Sequence, residues 1–322
     1  MSITRLIPGG DTVRRLSPGG ETIARLAPGG ELIARSAPGG ESVTRIIPPT
    51  AAEEEGDGFA DYVNEIDALA AWWSPNGKTP GDLADDEVAM EQMGPIANPD
   101  MVCVVASTGN WRVIDDNIGN TPSLTSALES LTSDGSNFCG IDSAVSPATG
   151  LNGVINVSSG AKSGFAFFKS AAANWDASNY GNIFQFNGDS SLSGATYDDY
   201  NGLGFVKGTT SKGNIRFSVP QAYGSRGGNV MDVGKWYFIG WSMPTYNNVV
   251  MYLVEVGADW DEGERTPAEG TTLVDNAKNG LTLGNGCYGG ARFTDGWRWG
   301  PIGFFINDVG EDVLQGIYEA IE

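Results

Sequence analysis

Trp297 and Trp299 stand two positions apart, so on a strand their side chains share a face, and Arg298 sits between them. Two indole faces beside a guanidinium can stack on sugar rings, which makes Trp297, Arg298 and Trp299 the candidate glycan-binding residues. Trp72 and Trp73 form a second aromatic pair. Tryptophans also fill cores, and the spacing of Trp236 and Trp241 points them to opposite faces, so at least one side of their strand must be packed. Loop acids offer oxygen ligands at Asp115-Asp116-Asn117, Asn187-Gly188-Asp189 and Asp198-Asp199. None has EF-hand spacing and acidic loops are more often solvated, so calcium is not favoured and no cofactor or metal is expected.

The chain has no histidine. That removes Ser-His-Asp and Cys-His catalysis, His-ligated metals and the usual neutral-pH proton shuttle, leaving carboxylates, Lys or Tyr for any catalysis. Cys103, Cys139 and Cys287 are an odd, scattered set without a CxxC, which argues against a disulfide framework and a zinc site.

The first 49 residues are one phrase repeated: GGDTVRRLSP, GGETIARLAP, GGELIARSAP and GGESVTRIIP follow a shortened opening copy. Arg5, Arg15, Arg25, Arg35 and Arg45 recur at one place, and Asp11, Glu21, Glu31 and Glu41 at another. A decapeptide cannot bury its own core, so the copies must lean on sister chains or on a partner surface with matching sites. The recurring arginines with Glu21, Glu31 and Glu41 are therefore the candidate attachment residues. Pro-Gly-Gly at each junction stops a continuous helix, and the Thr, Ile and Val content favours extended segments broken by turns; the alternative is a flexible tether.

Charge divides unevenly. Residues 1–50 hold six Arg against four acids, net +2, and residues 51–322 hold 13 basic and 36 acidic side chains, net −23. A body this acidic will not hold nucleic acid by phosphate neutralisation. No apolar stretch of about 20 residues offers a membrane span, and the start lacks the apolar core of a secretory signal.

Three regions follow: 1–50, the repeat array; 51–100, an acidic linker and a short helix; 101–322, a β domain. In the second, Phe59, Tyr62, Val63, Ile66, Leu69, Ala70 and Trp73 have helical spacing up to Ser74-Pro75. In the third, short runs rich in Val, Ile, Phe, Tyr and Trp recur between Gly, Asn, Asp and Ser clusters, which predicts an all-β sandwich. A helix behind Asn307-Asp308 closes the chain, with Val309, Val313, Leu314, Ile317 and Ile321 on one face.

Trp236-Tyr237-Phe238, Leu281-Thr282-Leu283-Gly284, Gly300-Pro301-Ile302-Gly303 and Ile317-Tyr318 come in the order found in the second half of a laminin-G or concanavalin A-like jelly-roll domain, which residues 100–322 resemble. The resemblance implies a jelly-roll β-sandwich. Glycoside hydrolases of that class carry an E-x-D-x-x-E strand; the nearest stretch here, Asp259-Trp260-Asp261-Glu262-Gly263-Glu264, has Asp in first place and a turn-like setting. No enzyme activity is expected. Repeat array and lectin-like domain together resemble bacteriophage virion appendage proteins, whether fibre, head decoration or tail appendage. That implies capsid or tail proteins as partners, a homo-oligomer such as a trimer, a host-surface glycan, no membrane insertion and a place on the virion surface. The rival is a carbohydrate-binding module of a cell-envelope protein.

Overall fold

The computed structural model describes segments 3–7, 11–15, 24–26, 31–36 and 42–47, then residues 58–95, 100–104, 111–119, 124–131, 138–141, 163–171, 180–187, 200–207, 212–219, 222–224, 230–245, 248–262, 264–269, 280–283 and 295–321. The chain divides into two compact units, Met1–Asp57 and Gly58–Glu322.

The first unit places one strand in each repeat copy: β1 (Ile3–Ile7), β2 (Asp11–Arg15), β3 (Ala24–Leu26), β4 (Glu31–Ser36) and β5 (Ser42–Ile47). They lie in the order β1-β2-β3-β5-β4. In every antiparallel pair the repeat arginine faces the β-branched position of a neighbouring copy: Arg5 and Val13, Val13 and Arg25, Ile33 and Arg45, Arg35 and Val43. β3 and β5 run parallel, two copies apart, with Arg25 beside Arg45.

The second unit opens with α1 (Gly58–Asn64) and continues through β6 (Leu69–Ser74), β7 (Gly81–Asp82), β8 (Val88–Gln92), β9 (Met101–Val104), β10 (Trp111–Asp115), β11 (Ser126–Ser130), β12 (Phe138–Ile141), β13 (Ser163–Lys169) and β14 (Tyr180–Asn187). Then come β15 (Tyr200–Lys207), β16 (Lys212–Val219), β17 (Ala222–Gly224), β18 (Val230–Asp232), β19 (Trp236–Thr245), β20 (Asn248–Glu255), β21 (Glu264–Glu269), β22 (Gly280–Leu283), β23 (Arg298–Phe305) and α2 (Gly310–Glu319).

Two antiparallel sheets result. The first runs β7-β10-β11-β23-β13-β19-β20-β21, with β6 taking the place of β11 along the second half of β23. The second runs β9-β12-β22-β14-β15-β16, with β17 and β18 sharing the far side of β16. β8 pairs with both β6 and β9 and so joins the sheets.

The sheets pack face to face over Trp73, Phe168, Trp241, Trp297, Trp299 and Phe304 from one side and Met101, Cys139, Phe184, Leu281 and Leu283 from the other. Phe184 of the second sheet lies 5.0 Å from Trp241 and 5.2 Å from Phe304 of the first, ring centre to ring centre. The opposite face of the first sheet carries a second core, in which Phe59 of α1 and Leu314, Ile317 and Tyr318 of α2 cover Trp72, Phe165, Phe167 and Phe238. Close approach decides two glycines. A Cβ on Gly164 would stand 2.0 Å from Trp241, and one on Gly303 would stand 2.3 Å from Phe165.

The all-β sandwich expected from the sequence is the fold of this unit. The domain nevertheless begins at Gly58, not at residue 101: α1 and β6 supply core residues, and β6 pairs along β23. The helix expected over Phe59–Trp73 ends at Asn64, and Leu69–Ser74 is a strand whose alternation sends Trp72 to one core and Trp73 to the other. The closing helix is present as α2. Asp308 Oδ1 accepts hydrogen bonds from the Gly310 amide at 3.1 Å, from Ser163 Oγ at 3.2 Å and from Ser242 Oγ, which ties the start of α2 to β13 and β19.

Candidate functional site

Five side chains form a row straight across the outer face of the first sheet. Arg112 on β10 faces Glu129 on β11, Glu129 faces Arg298 on β23, Arg298 faces Lys169 on β13, and Lys169 faces Trp236 on β19. Alternation explains the shared face: Trp297 and Trp299 turn to the inter-sheet core, so Arg298 between them turns outward. Asp116, just beyond β10, reaches over the row from outside it.

Bonding is dense. Arg112 Nε lies 2.5 Å and Arg298 Nε 2.9 Å from the two Glu129 carboxylate oxygens. Arg298 Nη1 donates to Asp116 Oδ2 at 2.6 Å, and Lys169 Nζ to Asp116 Oδ2 at 3.0 Å. Lys169 Nζ also stands 5.6 Å from the centre of the Trp236 ring, within reach of its π-face. Burial alone would raise the Asp116 pKa, but hydrogen bonds from the Lys169 ammonium and the Arg298 guanidinium outweigh it and hold the carboxyl below its ordinary value. Burial would likewise lower the Arg298 pKa, and its bonds to Asp116 and Glu129 turn that into a rise.

This arrangement suits binding better than proton transfer. A general acid at neutral pH needs a carboxyl pushed upward, and Asp116 is pulled the other way while Glu129 accepts from two guanidinium groups. Among the described residues three cations meet two carboxylates in this network, and Asp82 on β7 stands opposite Arg112 on its other side. The side chain of Arg112 remains 41% exposed and that of Arg298 29%.

The glycan platform expected at Trp297 and Trp299 needs correction, because both indoles are 0% exposed. Trp297 packs 5.1 Å from Phe168, Trp299 packs 5.3 Å from Trp111, and Trp299 Nε1 donates to the Ile183 carbonyl of the second sheet at 2.8 Å. Period two does put the pair on one face, but the second sheet covers that face. Arg298 alone of the three reaches solvent. Trp72 and Trp73 are equally buried.

Arg5, Arg15, Arg25, Arg35, Arg45 and Glu31 stand on strands β1 to β5, whereas Glu21 and Glu41 lie outside the described residues. Of the acidic loop groups, Asp189, Asp198 and Asp199 also lie outside them. At Asp115-Asp116-Asn117, Asp116 is taken by Lys169 and Arg298, which puts two cations where a calcium ion would have to sit. Among the described residues no cluster of three or more His, Cys, Asp or Glu is arranged to hold a metal ion. In the stretch nearest a hydrolase strand, Asp259 and Asp261 are exposed, and Trp260 stacks on Tyr252 at 5.7 Å.

Sequence reasoning singled out Arg298, and Asp116 for another purpose, but not Arg112, Glu129 or Lys169. Neighbours in the row are 17 to 169 positions apart in the chain, so no local motif announces it. Even Glu129 gives no local signal, because its strand SALES reads as polar although all five of its residues are buried.

No protein-family model matches the chain, and neither does any curated protein sequence. Among solved structures, the chain is similar to domain 4 of AbnA, a GH43 extracellular arabinanase from Geobacillus stearothermophilus, at 11% identity and a TM-score of 0.46, over 78% of this chain and 98% of that one. It is also similar to Trypanosoma rangeli sialidase at 10% identity and a TM-score of 0.43, over 81% of this chain and 36% of that one. The receptor binding domain of botulinum neurotoxin C/D mosaic serotype follows at 9% identity and a TM-score of 0.41, over 79% and 51% of the two chains. At TM-scores below 0.5 these likenesses decide nothing about function.

Proposed function

We propose that this chain is a non-enzymatic structural component of a virion, a bacteriophage fibre, head decoration or tail appendage. Its repeat unit fastens it to capsid or tail proteins or to sister chains, and its sandwich is the lectin-like part that meets a host-surface glycan. The observation that carries the reading is the register of the repeat strands. In each antiparallel pair the repeat arginine faces the β-branched position of another copy, so the decapeptide period sets the register of those pairs, while β3 and β5 run parallel with Arg25 beside Arg45. A surface that repeats at the same spacing can be engaged several times, and tethered sites add avidity without strong single contacts. A flexible tether gains nothing from such a period.

The lectin-like part of the reading rests on the charged row. The part-exposed guanidinium groups of Arg112 and Arg298 on an otherwise acidic body favour a sugar that carries a carboxylate or another anionic group. A carbohydrate-binding module of a cell-envelope protein would account for the sandwich equally well, but it leaves the repeats without a task.

Two deletions test the proposal. Excising residues 11–20 removes one whole period and keeps the remaining register, whereas excising residues 11–15 breaks it. Immunogold labelling of particles released from producing cells should find the first variant on the particle at reduced occupancy and lose the second. Equal labelling by both variants would contradict a periodic attachment, and no labelled particle for the unaltered chain would contradict the virion role.

A further inference from the structure

Cys103 and Cys139 face one another directly across β9 and β12. The pair is of a particular kind. Cys103 spends both of its backbone groups on the other side of its strand, its N–H donating to the Glu87 carbonyl at 2.9 Å and its carbonyl accepting from the Asp86 amide at 2.8 Å. Toward β12 it therefore stands at a non-hydrogen-bonded position, where facing Cα atoms are about 4.5 Å apart and side chains come closest. A disulfide spans Cα separations of about 4.4–6.8 Å, so this pair falls within range without backbone movement. Both thiols are free in the structure, and both are 0% exposed.

From this geometry we infer that Cys103 and Cys139 are an oxidation site that closes into a cross-strand disulfide when the chain folds in the presence of a small-molecule disulfide oxidant. The thiolate of one cysteine attacks the oxidant, forming a mixed disulfide and releasing one small thiol. The second cysteine, giving up its proton, attacks the protein sulfur of that mixed disulfide and releases the other. The two protein thiols lose two electrons and two protons, and the oxidant becomes two thiols. Timing follows from burial. Desolvation, together with the neighbouring Cys103 thiol, pushes the Cys139 thiol well up from its ordinary value, and the inter-sheet core keeps oxidants away. A chain that folds reduced therefore stays reduced in oxidant, and a chain that folds with oxidant present is stapled from β9 to β12. The two histories give two lasting forms of one protein.

The test uses the full chain carrying Cys287→Ser, so that the third cysteine cannot compete. The unfolded protein is refolded either with reduced and oxidised glutathione or with a phosphine reductant, then alkylated in denaturant and weighed. Refolding with glutathione should yield a product with no alkylated cysteine, a non-reducing digest peptide joining Cys103 to Cys139, and a melting point several degrees above the reduced form. Protein folded with reductant and only then given oxidised glutathione should keep both thiols for hours. Cys103→Ser and Cys139→Ser, each refolded with glutathione, should show no difference in melting point from their reduced samples. Glutathione attached to either cysteine of the refolded protein, two alkylated cysteines after oxidative refolding, or rapid oxidation of the folded reduced form would each overturn the inference.

Discussion

Arg298 Nη1 lies 2.6 Å from Asp116 Oδ2, and the two residues are 182 positions apart in the chain. The same guanidinium donates through Nε to Glu129, so one cation holds two carboxylates on the outer face of the first sheet. Removing it leaves Glu129, whose side chain is 4% exposed, with Arg112 as its remaining cation, and Asp116 with Lys169. Arg298→Met should destabilise the sandwich by about 1–3 kcal/mol in chemical denaturation, because part-buried carboxylates lose a charged partner. Adding Asp116→Asn to that variant should recover part of the loss, which a double-mutant cycle reads directly. Strictly additive effects would mean that the two residues are not coupled.

Acid titration separates two aspartates of opposite sign. Asp116 has a folded value below its ordinary 3.8, so its contribution to stability is full above that pH and is lost as pH falls through the folded value. Asp295, whose buried Oδ1 has no hydrogen-bond partner among the described residues, is raised above 3.8 by desolvation, so its stabilising share is present below that pH and lost as pH rises. Asp116→Asn should therefore melt below the unaltered protein at neutral pH, and Asp295→Asn should melt above it. Both gaps should close in acid. A neutral-pH gap of the reverse sign for either variant would contradict the corresponding assignment.

Trp299→Ala tests the reassignment of the tryptophan pair from surface to core. The indole touches Trp111, Phe168 and Trp297 and donates to a carbonyl of the opposite sheet, so its removal opens a large cavity. The expected loss is about 3–5 kcal/mol of stability, seen as a lower denaturation midpoint. A variant that melts normally but no longer binds glycan would restore the surface platform.

How far the sequence could be read depended on which faces are covered. β19 and β20 were legible because they are apolar runs bounded by turn residues. β6 was not, since it is buried on both faces and LAAWWS has no polar alternation to distinguish it from a helix; the apolar spacing back to Phe59 completed the wrong pattern. β11 was missed for the opposite reason. SALES reads as polar, yet Ser126, Glu129 and Ser130 are buried, and Glu129 is paid for by two arginines from neighbouring strands. The tryptophan pair failed on the same point: period two fixes which residues share a face, but only the tertiary fold decides whether that face meets water or a second sheet. The arginine period of residues 1–50 needed no tertiary knowledge at all.

The most direct test of the account compares the full chain with residues 58–322 by sedimentation and by immunogold labelling of particles released from producing cells. Both hydrophobic cores are built from residues after Gly58, so the fragment should fold and melt cooperatively as a monomer. The full chain should associate with sister chains or with the particle, and the fragment should do neither. A fragment that assembles and attaches as well as the full chain would contradict the central claim that the repeats are the attachment device.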